Sequence, residues 1–146
     1  MSRGAGVVEP LARPISGRAR AILRWLLTAF MVAAGVNHFL VPATYAAMIP
    51  DVLPSHAVLV FVSGVAEILA GLGLIPRATR RLAGWGLIAL FVAIFPANLN
   101  MALHHLPLGG RAVPTWALWA RLPLQIILLA WAYWCGVRGS PREKTR

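Results

Sequence analysis

Eight polar side chains stand inside or at the ends of long apolar runs: Asn37, His38, Ser63, Glu67, Asn98, Asn100, Arg121 and Gln125. Their chemistry differs. Glu67 can accept or release a proton. Arg121 is a permanent cation with a planar fork of donors. The amides both donate and accept. A charge at the middle of a membrane helix costs about 2.5–3.5 kcal/mol on insertion scales, so ionisable groups there are kept for pairing, ligand binding or proton movement. Two opposite charges facing each other lower that cost. The expectation is therefore an ion pair between Glu67 and Arg121, with Asn37, Asn98 and Gln125 filling the remaining hydrogen-bond positions. Two uses of the cluster stay open, with a proton path as a third. It can be a buried pair that fixes helix register, or it can line a ligand or redox pocket. No residue is assigned a catalytic role.

Helical spacing groups these residues. Ser63, Glu67 and Gly71 fall at i, i+4, i+8 and share a face, as do Ala29, Ala33 and Asn37. A stripe of small and polar residues lets a neighbouring helix approach closely. Asn100 and His104 are one turn apart, as are Arg121 and Gln125. Asn98, Met101 and His105 form a second stripe.

The elements that must position these groups are four apolar runs, at about 21–41, 57–75, 82–103 and 116–137. Each is close to the ~20 residues that a bilayer core demands. Backbone in lipid must satisfy its own hydrogen bonds, so the runs are expected as helices. The composition agrees: 59% hydrophobic, 12% charged and a mean hydropathy of +0.72 in 146 residues. The expected fold is all-α, a membrane-embedded four-helix bundle over 20–137. Basic tails flank it at 1–19, expected to be disordered, and at 138–146.

The net charge of +10 would point to nucleic acid in a soluble protein. Here the arginines lie mainly between or outside the apolar runs, so they are read as topology signals and contacts for membrane lipids, with no nucleic-acid partner. Arg3, Arg13, Arg18 and Arg20 precede the first run; Arg77, Arg80 and Arg81 separate the second and third; Arg138, Arg142, Lys144 and Arg146 follow the fourth. The first connection has no Lys or Arg and the third has only Arg111. The positive-inside rule then places both termini in the cytoplasm, N-in and C-in. A cleaved signal peptide is the weaker reading of the first run, which exceeds a typical h-region and ends in a poor cleavage site around Val36-Asn37-His38-Phe39. Trp116 and Trp119 against Trp131 and Trp134, about 22 Å apart at 1.5 Å per residue, suit two interfacial belts. In this frame every strongly polar residue within a span, Arg24 apart, falls from the midplane outward.

Prolines shape the outer half. Pro96 frees the carbonyl of Val92 within the third run. Pro123 lies between Arg121 and Gln125, and a kink or a broken first turn is expected there. The apolar first connection is expected to carry a short helix over about 43–49, opened by Pro42. His104 and His105 point about 100° apart and make poor joint ligands, so no metal site is read. Cys135 is the single cysteine, which rules out an internal disulfide.

Several stretches together resemble the DoxX family of small bacterial membrane proteins. They are Asn37-His38-Phe39 with Pro42; Ser63-Gly64 with Glu67-Ile68; Leu82-Ala83-Gly84-Trp85-Gly86 after the arginines; Phe95-Pro96-Ala97-Asn98 with Met101-Ala102; and Arg121-Leu122-Pro123-Leu124-Gln125. The resemblance covers about 20–136. It implies a four-helix bundle in the bacterial inner membrane and a likeness to the membrane subunit of a thiosulfate:quinone oxidoreductase. It supplies no catalytic residues. The expected function is a membrane subunit or accessory protein of a quinone-linked redox system. A quinone would sit between Glu67 and Arg121 with Gln125, and a redox protein partner or a second copy would complete the system. The alternative is a non-enzymatic scaffold or lipid-binding protein whose polar cluster is structural. A transporter is third, and no repeat between the halves supports it.

Overall fold

The computed structural model describes residues 17–107 and 110–138, and the described residues are helical without a strand. Four helices are long and apolar enough to cross a membrane. These are α1 (Gly17–Leu40), α3 (His56–Gly73), α4 (Arg80–Leu103) and α5 (Thr115–Ala132), the last extended by a π-helical turn, Tyr133–Val137. A five-residue helix, α2 (Pro42–Ala46), lies in the first connection with proline in its first turn. It is shorter than the 43–49 expected, because the chain passes into turns after Ala46. By length and composition the chain is a multi-pass membrane protein.

Two expectations need correction. The N-terminal segment expected as a disordered tail over 1–19 is helical from Gly17 onward; positions 1–16 and 139–146 lie outside the described residues. The extra turn of α1 carries Arg18 and Arg20, and the Arg20 guanidinium rests 5.2 Å from the Trp134 ring centroid, a contact that draws the helix past the apolar run. Second, of the kink or broken first turn expected at Pro123, the break is absent. Helix α5 runs continuously from Thr115, as α4 does through Pro96. Pro114 caps its start in an extended conformation, so Pro123 falls in the helix interior.

The α3–α4 connection shows how polar ends are handled. The last carbonyls of a helix lack intrahelical partners. Thr79 Oγ1 donates to Gly73 O at 2.8 Å, Arg80 Nε to Leu74 O at 3.0 Å and an Arg80 terminal nitrogen to Ile75 O at 2.8 Å. The buried arginine is spent on its own chain.

Two glycine contacts set the packing. A Cβ on Gly136 would lie 2.6 Å from Gly84 Cα, and a Cβ on Gly35 would lie 2.6 Å from Gly64 O. No side chain fits at either crossing, so α4 meets the π-turn, and α1 meets α3, backbone to backbone. Thr28 Oγ1 adds a 3.0 Å hydrogen bond across the second pair, to Gly71 O. Around the first crossing, Leu27, Leu74, Leu87, Phe91, Ala132 and Cys135 form the main core. A smaller cluster of Met48, Met101, Ala102 and Leu118 closes the opposite end.

Candidate functional site

Between the two cores the helices separate. A cavity of about 670 Å³ opens there, lined by α1 from Phe30 to His38, α3 from Leu59 to Glu67, α4 from Leu90 to Asn98 and α5 from Arg121 to Leu128. Its walls are mainly apolar, with Phe30, Met31, Val60, Phe91, Ile94 and Leu128 among them. The segment after α1 contributes Tyr45, Met48 and Ile49. This volume lies in the range of small-molecule sites, which pair an apolar lining with a few placed polar groups.

Seven of the eight residues singled out from the sequence line it: Asn37, His38, Ser63, Glu67, Asn98, Arg121 and Gln125. Asn100 does not. Its side-chain amide donates to Met48 O at 3.1 Å, tying the outer segment to α4.

The pairing inside the cavity differs from the expectation. The ion-pair partner of Glu67 among the described residues is His38, with Nδ1 3.4 Å from Oε2. Arg121 instead directs a terminal nitrogen to the Met101 sulfur at 3.1 Å. The Gly35–Gly64 crossing explains the change. It presses α1 onto the face of α3 that carries Glu67, so the first polar group Glu67 meets comes from α1, not from α5. His38 Nδ1 also lies 2.9 Å from Ala34 O. A nitrogen facing both a carbonyl and a carboxylate must carry the proton, so Nδ1–H is the donor. The ring stacks on Tyr45 with centroids 3.7 Å apart, and Tyr45 Oη accepts from Asn37 Nδ2 at 2.8 Å. Ser63 is spent locally, donating to Val60 O at 3.0 Å.

The α4–α5 wall has its own chain of bonds. Asn98 Nδ2 donates to Gln125 Oε1 at 3.1 Å, and Gln125 Nε2 donates to the Phe91 carbonyl. Phe91 lies one residue before Val92, whose carbonyl Pro96 deprives of its helical donor. Gln125 takes the neighbouring carbonyl of Phe91, not the one that Pro96 frees.

Two groups are left under-partnered. Glu67 is only 4% exposed, and its Oε2 makes no hydrogen bond, because the His38 Nδ1–H that lies 3.4 Å away is given to Ala34 O. Arg121 has a thioether, a weak acceptor, where a guanidinium normally finds carboxylates or carbonyls. One wall therefore holds an acceptor in need of a donor, and another holds donors in need of an acceptor. Sequence reasoning missed Tyr45, whose place beside His38 follows from the tight turn at Pro42. It also missed Met101 as an arginine partner, for which no sequence signal exists.

The family model for a domain of unknown function, DUF8561, matches residues 27–136. The chain belongs to the DUF8561 family. All eight polar positions fall within the matched stretch. No curated protein and no solved structure matches the chain.

Proposed function

We propose that this membrane bundle binds a membrane-soluble quinone in the central cavity and serves as a subunit or accessory protein of a quinone-linked redox system. The observation that carries this reading is the combination of an orphaned, buried Glu67 oxygen and an under-partnered Arg121 in one largely apolar cavity. A quinone ring carries two oxygens on opposite edges and an apolar tail. Arg121 would donate to one oxygen. Glu67, in its protonated form, would donate to the other, or in its ionised form accept from the reduced ring. The quinone would supply two-electron carriage within the membrane. The residues of this chain hold and orient it, exclude water and place a proton donor and acceptor beside it. The resemblance of these residues to the DoxX family supports the same reading. The distribution of arginines supports placing both termini in the cytoplasm, and the DoxX resemblance supports a bacterial inner-membrane location.

The test is to purify the protein from its native membrane in mild detergent and identify retained organic molecules by mass spectrometry, with Glu67→Gln and Arg121→Gln beside it. A stoichiometric quinone, lost from both variants while they remain folded, is the expected result. Retention of quinone by both variants would sink the proposal.

The second reading, a scaffold or lipid-binding protein, is favoured by one specific observation. The Asn98–Gln125–Phe91 chain joins α4 to α5 with its own groups satisfied, as a structural cross-link would be. In that case Glu67→Gln lowers protein abundance and melting temperature in step with any phenotype, and no quinone copurifies.

A further inference from the structure

The other end of the bundle carries a feature that the cavity does not explain. Arg20 and Arg24 lie one helical turn apart near the start of α1. Arg77 and Arg80 lie at the same end of the bundle, in the α3–α4 connection and at the start of α4. Arg80 is satisfied by the α3 carbonyls. The acidic residues among those described, Asp51 and Glu67, lie in the first connection and beside His38. Among the described residues, no carboxylate lies at that end.

A groove of about 390 Å³ opens beside this cluster, lined by Leu23, Ile127, Ala130, Trp131 and Trp134. Leu23 lies between Arg20 and Arg24 in the chain, and the other four lie on α5 and its π-turn. The Arg20 guanidinium stands over the Trp134 ring, with its Nε buried and without a hydrogen-bond partner. Attraction to the indole face holds the Arg20 cation at the mouth of the groove, and a guanidinium carries paired N–H donors. A fork held in this way matches two oxygens of a phosphate. An apolar groove with a cationic mouth at the end of membrane-spanning helices has the layout of a phospholipid site.

We propose that the groove between α1 and α5 is a specific site for one anionic phospholipid, its phosphate held by Arg20 and Arg24 and an acyl chain lying along Leu23, Ile127 and Trp131. Charge complementarity selects the occupant, because a zwitterionic lipid brings its own cation to a mouth that already has an excess of them. The site stands apart from the cavity and does not depend on what the cavity binds.

Native mass spectrometry of the full chain, delipidated and then given equimolar phosphatidylglycerol and phosphatidylcholine with identical chains, tests this. The wild-type protein is expected to retain one phosphatidylglycerol in preference. Arg20→Gln and Arg24→Gln should each weaken retention about fivefold, and together about 25-fold, the effect of roughly one interfacial arginine each. Arg111→Gln, in the α4–α5 connection, should leave it unchanged. Ala130→Trp fills the groove without altering charge and should also abolish the preference, whereas millimolar inorganic phosphate should not displace the lipid. Equal retention of the two lipids by the wild-type protein would overturn the proposal. So would full retention by the double arginine variant or by Ala130→Trp.

Discussion

The two halves of this bundle are built from the same four long helices and packed by opposite rules. At the arginine-rich end, Gly84 and Gly136 touch backbone to backbone, and Leu27, Leu74, Leu87 and Cys135 leave no exposed surface around them. Toward the other end the helices separate around about 670 Å³ of space, lined by seven of the eight polar residues singled out from the sequence. In lipid there is little hydrophobic drive for helices to associate, so close van der Waals contact and interhelical hydrogen bonds hold such a bundle together. The packed half relies mainly on the first, with Thr28 adding one bond to Gly71. The cavity half adds to the Gly35–Gly64 contact hydrogen bonds through Asn98, Gln125 and Tyr45. The lesson is that stability and ligand chemistry are spatially separated here. A chain this short keeps a charged cavity because the opposite end holds the helices together.

Substitutions that act on one half alone test that separation. The largest effect is expected from Gly136→Val, which drives a side chain into the Gly84 backbone and should cost about 3 kcal/mol, measured by denaturant unfolding in detergent micelles. Gln125→Leu removes a buried amide and leaves Asn98 without its acceptor. It should cost about 2 kcal/mol by the same measurement. Tyr45→Phe loses only the bond from Asn37, at a more open position, and should cost about 0.5 kcal/mol while keeping the stack on His38. Gly86→Ala sits two residues from the tight crossing, on a face with nothing within 4 Å. It should be neutral or stabilise α4 by up to about 1 kcal/mol through helix propensity. A Gly86→Ala effect as large as that of Gly136→Val would show that the crossing is not special.

The long helices and seven of the eight cavity residues could be read from the chain because lipid leaves the backbone few choices and makes misplaced polarity costly. Partnership could not be read in the same way. Glu67 and Arg121 share the cavity, yet Glu67 meets His38. The stripe of Ser63, Glu67 and Gly71 pointed to a close helix neighbour without saying which one. The crossing of Gly35 on Gly64 decides it, and two glycines on different helices leave no joint signal in a single sequence. The stack of Tyr45 on His38 was hidden for a related reason. Tyr45 sits in the short α2, whose placement depends on the Asn100 contact to Met48 as much as on its own residues. At Pro123 the broken first turn was the wrong alternative: the residue is accommodated in the interior of α5.

The crossing at Gly84 and Gly136 also has a mechanical meaning. Two rods joined tightly near one end, and at the other only by the Asn98–Gln125 bond and the small Met101–Leu118 cluster, pivot like the blades of scissors, and the travel grows with distance from the rivet. Asn98 lies 14 residues along α4 from Gly84, roughly 21 Å at 1.5 Å per residue, so each degree of rotation carries it roughly 0.4 Å. A few degrees at the rivet widens or narrows the far end by more than an ångström, while the packed side chains around Leu87 barely shift. The width available to a guest is thus set by an angle between helices rather than by the size of any one side chain.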